Sequence, residues 1–204
     1  MATLTGGTAS ETINGTSGAD VIYANGGNDT VYAGGGADLV YGGNGNDYID
    51  GGNGVDTIYG GAGNDALMGR EGRDVFAFNF KVLGGQTSAE GGTTAPTVYG
   101  YGQLYNPTNP NLANGDDTIL DFDYRYTREM SDYLRFNGMT ADQYDQLVAS
   151  GQLTVEYGLF TAGDTNKDMK INFDGGSIVL SGIGDWTITG LADLKKYIVF
   201  DVQA

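Results

Sequence analysis

The sequence predicts an all-β fold built from stacked coils, each coil a pair of tight turns and short parallel strands. Three observations carry that prediction. Glycine fills 36 of the 204 positions while proline fills only 3. The stretch from Gly6 to Ala77 divides without gaps into eight nine-residue blocks: GGTASETIN, GTSGADVIY, ANGGNDTVY, AGGGADLVY, GGNGNDYID, GGNGVDTIY, GGAGNDALM and GREGRDVFA. The sixth position is acidic in every block, and the eighth is always a large apolar residue.

The physics of one block explains the pattern. A run such as Gly42-Gly43-Asn44-Gly45 takes the positive φ angles of a tight turn at low cost. The closing residues, for example Thr57-Ile58-Tyr59, are β-formers whose middle member faces opposite to its neighbours. Two blocks then make one coil of 18 residues, and stacked coils form two parallel sheets. Ile13, Ile22, Val31, Val40, Ile49, Ile58, Leu67 and Phe76 meet in a thin core. The sixth-position acids (Glu11, Asp20, Asp29, Asp38, Asp47, Asp56, Asp65 and Asp74) line the two edges, where their repulsion must be neutralised.

The outward positions add a surface. Tyr23, Tyr41 and Tyr59 stack in one column, flanked by Val21, Leu39, Thr57 and Val75. The opposite face, with Thr12, Asn14, Thr30, Tyr32, Tyr48, Asp50 and Met68, is more polar. The tyrosine column is a docking surface for the chain's own C-terminal part, for a partner or second copy by self-association, or for a sugar.

Beyond the repeats the composition shifts, giving expected units of 1–78, 79–114 and 115–204. Residues 79–114 hold all three prolines, Tyr99, Tyr101 and Tyr105, and only Lys81 and Glu90 as charges, which reads as an insertion loop. From Gly115 order returns: DDTILDFD and DYLRFNG read as strands. Thr140-Ala-Asp-Gln143 is a capping box opening a short helix to about Ser150, with Gly151 as its stop. TVEYGLFTA and MKINFDG form a hairpin, followed by the strand SIVLSGI. Asp164, Asn166 and Asp168 copy the start of an EF-hand loop, but Met169 replaces the glycine and Gly175 the closing glutamate, so a polar hairpin turn is expected.

Composition excludes several functions. With no histidine or cysteine there is no Ser-His-Asp triad, disulfide framework or usual zinc site. A net charge of -16 opposes nucleic-acid binding. No apolar run is long enough to span a membrane, and MATLTGGTAS lacks the basic start and apolar core of a Sec signal peptide. A carboxylate pair such as Asp121/Asp123 suits a glycosidase, yet the regular aspartates have another explanation, so no enzyme and no catalytic residue is expected.

The blocks resemble the GGxGxDxUx nonapeptide of the RTX (repeats-in-toxin), hemolysin-type calcium-binding family. That resemblance implies a right-handed parallel β-roll followed by a β-rich C-terminal capping region with a short helix. It also implies Ca2+ ions between loops of successive coils, at most about six in the roll. The ligands it implies are Asp20, Asp29, Asp38, Asp47, Asp56, Asp65 and Asp74, with turn residues Gly34, Gly36, Gly42, Asn44, Gly45, Gly51, Asn53, Gly54, Gly60 and Ala62. Calcium wants six to eight oxygens, and glycine turns expose carbonyls. Residues 1–69 carry eight acidic and no basic side chains, so the metal-free roll repels itself. The first block departs from the pattern at Ala9 and Glu11, and the last at Arg70, Glu71 and Arg73.

The segments Asp74-Val-Phe-Ala-Phe78 and Asp117-Thr-Ile-Leu-Asp-Phe122 resemble the region that caps the roll in RTX exoproteins. Leu194–Ala204 resembles the uncleaved targeting region of type I secretion substrates, implying the type I secretion apparatus as partner and an extracellular or cell-surface location. The expected function is therefore a calcium-binding, non-enzymatic secreted protein that folds on meeting extracellular calcium. The alternatives are a module binding an extracellular polysaccharide, or the C-terminal targeting module of a larger secreted enzyme or toxin.

Overall fold

A computed structural model describes residues 1–83, 97–101, 115–122, 131–158, 160, 168–173, 176–183, 188 and 190–201. Within the repeats each block contributes a turn and one strand. The strands are β1 (Thr3–Thr5), β2 (Thr12–Thr16), β3 (Val21–Tyr23), β4 (Thr30–Gly34), β5 (Leu39–Asn44), β6 (Tyr48–Asn53), β7 (Thr57–Ala62), β8 (Ala66–Glu71) and β9 (Val75–Leu83). Successive strands alternate between two sheets, so β3 pairs β5 and β4 pairs β6, all parallel. The register is one coil: Val21 lies beside Leu39, Ile22 beside Val40 and Tyr23 beside Tyr41.

The eighth-position residues fill the space between the sheets. Ile22, Val31, Val40, Ile49, Ile58, Leu67 and Phe76 are all fully buried, and Ile13 at the open end is 9% exposed. A core one side chain deep per strand is thin, so the stack depends on its neighbours in sequence, as solenoids do.

Beyond residue 83 come β10 (Thr97–Tyr101), β11 (Gly115–Ile119), β12 (Tyr133–Asn137), α1 (Ala141–Ser150), β13 (Thr154–Gly158), β14 (Asp168–Phe173), β15 (Gly176–Leu180), α2 (Leu191–Leu194) and β16 (Ile198–Asp201). These continue the roll. β11 adds in parallel to β8, with Ile119 beside Leu67, and β12 adds in parallel to β9, with Leu134 beside Phe76. One sheet runs β1-β3-β5-β7-β9-β12-β16, and the other β2-β4-β6-β8-β11-β15-β14-β13. The expected hairpin is present as the antiparallel pair β13–β14, and β14 also pairs antiparallel with β15. Part of the expected insertion is strand: β10 pairs antiparallel with the far end of β9.

Helix α1 packs beside β12 and β16. Its capping box is formed as expected, Thr140 and Gln143 exchanging side-chain and backbone bonds, and Gly151 stops it at φ +74. The buried Tyr144 packs near Phe136 and Phe200, and its hydroxyl donates to the Leu191 carbonyl at 2.9 Å. Among the described residues no helix is long and apolar enough to cross a membrane.

Candidate metal centre

The sixth-position aspartates form two ladders, one along each edge of the roll. On the first edge the backbone N–H of Asp29 donates to Asp47 Oδ1, and that of Asp47 to Asp65 Oδ1, each at 2.8 Å. The N–H of Glu11 reaches Asp29 Oδ1 at 2.8 Å. On the second edge Ala2 donates to Asp20, Asp20 to Asp38, Asp38 to Asp56 and Asp56 to Asp74, at 2.7–2.9 Å. Every rung therefore spans one coil, and each carboxylate locks the turn before it. None of these seven aspartates is more than 3% exposed.

The second oxygen of each carboxylate is the notable one. Oδ2 of Asp29, Asp38, Asp47, Asp56, Asp65 and Asp74 is buried and has no hydrogen-bond partner. Buried polar atoms are nearly always paired, and an unpaired one costs on the order of 1–3 kcal/mol. Burial is also the main reason the carboxyls of Asp38, Asp47, Asp56, Asp65 and Asp74 are hard to ionise. It pushes Asp47 and Asp74 up to about 6, and Asp56 and Asp65 up to about 7. A proton lifts the charge only below those values; at higher pH a cation does so.

Glycine leaves room for it. Gly42 has no left-handed φ, yet a Cβ there would lie 2.4 Å from the Gly60 carbonyl oxygen and 2.6 Å from Asp47 Oδ2. At Gly51 and Gly60 the same space is bounded by Oδ2 of Asp56 at 2.6 Å and of Asp65 at 2.4 Å. The first turn position thus keeps open a cradle walled by oxygens. The fourth position works differently. Gly54 has φ +135, and a Cβ there would strike the Gly36 carbonyl at 1.7 Å, so these carbonyls run along the stack into the next turn. Gly34, Gly36 and Gly45 share the left-handed region at φ +107, +114 and +127. The Asn44, Asn53 and Ala62 carbonyls accept from the N–H groups of Gly27, Gly36 and Gly45 at 2.8–2.9 Å, and so hold coil to coil.

The donor set is all oxygen, with no imidazole or thiolate anywhere in the chain. Such a set suits a hard ion such as calcium, and the glycine turns provide the carbonyls that complete its shell. Among the described residues no three acidic side chains converge, so each ion would complete its shell with main-chain oxygens.

The ends of the ladders depart from this geometry. Asp20 Oδ2 accepts from both the N–H and the hydroxyl of Thr16 at 2.8 Å. The Ala2 N–H first, and then Thr16, hold its carboxyl below the usual range. In the last block Arg70 sends its guanidinium out of the turn to Asp50, a two-point pair at 2.6 and 2.5 Å with a carboxylate only 7% exposed.

Three residues beyond the repeats complete the ladders. Asp117 Oδ1 accepts the Asp65 N–H at 2.9 Å, and Asp132 Oδ1 accepts the Asp74 N–H at 2.8 Å. Asp121 accepts from the Gly69 and Arg70 N–H groups at 2.9 and 2.7 Å. The signal was present as an Asp-x-apolar core in Asp117-Thr-Ile119 and Asp132-Tyr-Leu134, stripped of its glycine turn. Asp164 and Asn166 lie outside the described residues. Asp168 is buried in β14 and accepts the N–H of Phe160 at 2.7 Å and of Gly182 at 2.9 Å.

The tyrosine column forms as the 18-residue period requires. Tyr23 and Tyr41 stack at 5.0 Å and 2°, and Tyr41 and Tyr59 at 4.9 Å and 17°. Both faces of the Tyr41 ring are therefore covered by its neighbours. Tyr23 is 40% exposed, and Tyr41 and Tyr59 are half-buried.

A solenoid whose buried carboxylates call for a hard cation falls among the calcium-binding repeat modules. A family model described as the RTX calcium-binding nonapeptide repeat (4 copies) matches residues 5–40 and again residues 41–76. Residues 5–76 are thus matched as RTX repeats. Among solved structures, the solution structure of the AlgE6R3 subunit from the Azotobacter vinelandii mannuronan C5-epimerase is 20% identical, covering 95% of this chain and 80% of that one at a TM-score of 0.36. No curated protein matches this chain.

Proposed function

We propose that this chain is a non-enzymatic, secreted or cell-surface calcium-binding protein whose roll folds only where calcium is plentiful. The observation that carries the reading is the pair of buried carboxylate ladders with six repeat aspartates whose Oδ2 has no partner. Without cations these carboxylates oppose folding; with them they become the bonds between coils. Cytosolic free calcium is scarce, so the repeats stay unfolded there, as passage through a type I exporter requires. At millimolar calcium a site with a dissociation constant of about 10⁻⁴ M adds roughly 1.4 kcal/mol. Several such sites together rival the whole stability of a small domain, about 5–15 kcal/mol.

The aspartates are committed to the ladders, which supports the non-enzymatic reading. The polysaccharide alternative finds less support at the tyrosine column, because sugars stack on open ring faces and the Tyr41 faces are taken. The test is expression beside a type I exporter, in medium with millimolar calcium or with chelator. The expected result is a protease-resistant chain in calcium medium and a degraded one in chelator. A chain that is already protease-resistant in calcium-poor cytosol would overturn the reading.

A further inference from the structure

We infer that cation binding does not stop with the repeats: the geometry points to a further calcium site at Asp117, where the first-edge ladder passes into the cap. The inference rests on the calcium reading proposed for the repeats.

Asp117 reproduces a repeat aspartate without belonging to a repeat. It is 1% exposed; Oδ1 takes the Asp65 N–H at 2.9 Å, and Oδ2 is buried with no partner. The residues around it keep the register of a coil. The Thr118 N–H donates to the Asp65 carbonyl at 2.8 Å, as the Ala66 N–H does to that of Asp47. The Asp116 N–H donates to Asn64 Oδ1 at 3.0 Å, as Asn64 does to Asn46 at 2.9 Å. Yet Asp117 follows Asp65 by 52 positions, where each earlier rung is 18 apart, and it lies outside residues 5–76 that match the family model.

Asp117 calls for an ion as the rungs below do, and more strongly. The Asp65, Asp116 and Asp47 carboxylates all act on Asp117, so leaving it bare concentrates negative charge in a dry place. Asp116 is exposed and takes the Ser177 hydroxyl at 2.7 Å, so it is a neighbour with its own partner. A divalent ion relieves that charge, and an oxygen-only site favours calcium over magnesium, which demands a tighter octahedron.

The consequence is a staple. β11 carries β15, β14 and β13 behind it, so an ion between Asp65 and Asp117 ties that half of the cap to the roll. The cap then assembles in the same calcium range as the repeats.

The test compares the full-length chain with Asp117→Asn, which keeps the Oδ1 acceptor for Asp65. Bound calcium is counted after equilibrium dialysis, and amide exchange is followed at Thr118 and Leu120, which bond to the Asp65 and Leu67 carbonyls. The expected result is one ion fewer in Asp117→Asn, with protection at 118–120 shifted to higher calcium and protection in the first five blocks kept. An unchanged count and protection profile in Asp117→Asn would overturn the inference, whereas a wild-type chain that binds no calcium would overturn the calcium reading beneath it. Should Asp117→Asn fail to fold, a calcium-bound crystal structure of the wild type decides. An ion about 2.3–2.6 Å from Asp117 Oδ2 supports the site. Ions along the repeats with none at Asp117 sink it.

Discussion

Replacing Asp56 by asparagine should change stability in opposite directions with and without calcium. Asp56 is fully buried; Oδ1 holds the Asp38 N–H at 2.8 Å, and Oδ2 has no partner. The substituted side chain keeps the shape and the first bond but points an amide at the cation. At millimolar calcium the variant loses one ion, about 1.4 kcal/mol for a dissociation constant near 10⁻⁴ M. The unpaired buried amide costs a further ~1–3 kcal/mol. The sum, ~2–4 kcal/mol, lowers Tm by ~5–15 °C in a chain of this size. In chelator the sign reverses. Burial, then the charges of Asp74, Asp38 and Asp50, push Asp56 up to about 7, so above that pH a bare carboxylate weakens the fold and the amide relieves it. The assay is thermal melting followed by far-UV circular dichroism, in calcium and in chelator above pH 7, with residual β signal compared where no transition remains. An Asp56→Asn chain that is more stable than wild type in calcium as well as in chelator would refute the reasoning.

Other consequences follow from the same geometry. The folded, metal-free carboxyls of Asp47, Asp56, Asp65 and Asp74 sit at about 6 to 7, above their ordinary 3.8. The metal-free roll is therefore favoured at low pH and loses that stability as pH rises through about 6 to 7. Calcium must displace those protons, so its apparent affinity falls below pH 7, and calcium added near pH 6 should acidify a weakly buffered solution; no proton release would contradict this. Gly42→Ala places a methyl in the oxygen cradle and should raise the calcium midpoint severalfold. Gly18→Ala, with nothing within 4 Å of its methyl, should leave that midpoint unchanged. Tyr41→Ala removes two stacked contacts worth about 0.5–1.5 kcal/mol each and should lower Tm in calcium; an unchanged Tm would mean that the column contributes little to the fold.

Much of the fold was legible because the repeat is strict. A nine-residue period fixes which side chain faces inward, so the core from Ile13 to Phe76 and the tyrosine column were readable one by one. The Thr140–Gln143 cap was readable for the opposite reason, being wholly local. What escaped notice is non-periodic. Asp117 and Asp132 occupy ladder positions but follow their rungs by 52 and 58 residues, so a search at nine or 18 cannot reach them. Thr16 stands where the pattern has glycine, and only the structure shows its hydroxyl taking the Asp20 oxygen that other rungs leave open. Arg70 departs from the repeat pattern, and only the structure shows that it pairs the buried Asp50. The stacking of the tyrosine rings on one another, which closes their faces, depends on side-chain rotation that spacing does not specify.

The most direct test of the account is a calcium titration of chelator-treated protein followed by far-UV circular dichroism, with magnesium as control. The account predicts a cooperative passage from coil to β structure near millimolar calcium, and none with magnesium. A chain that shows full β structure in chelator and ignores calcium would contradict it, leaving the carboxylate ladders as a metal-independent scaffold.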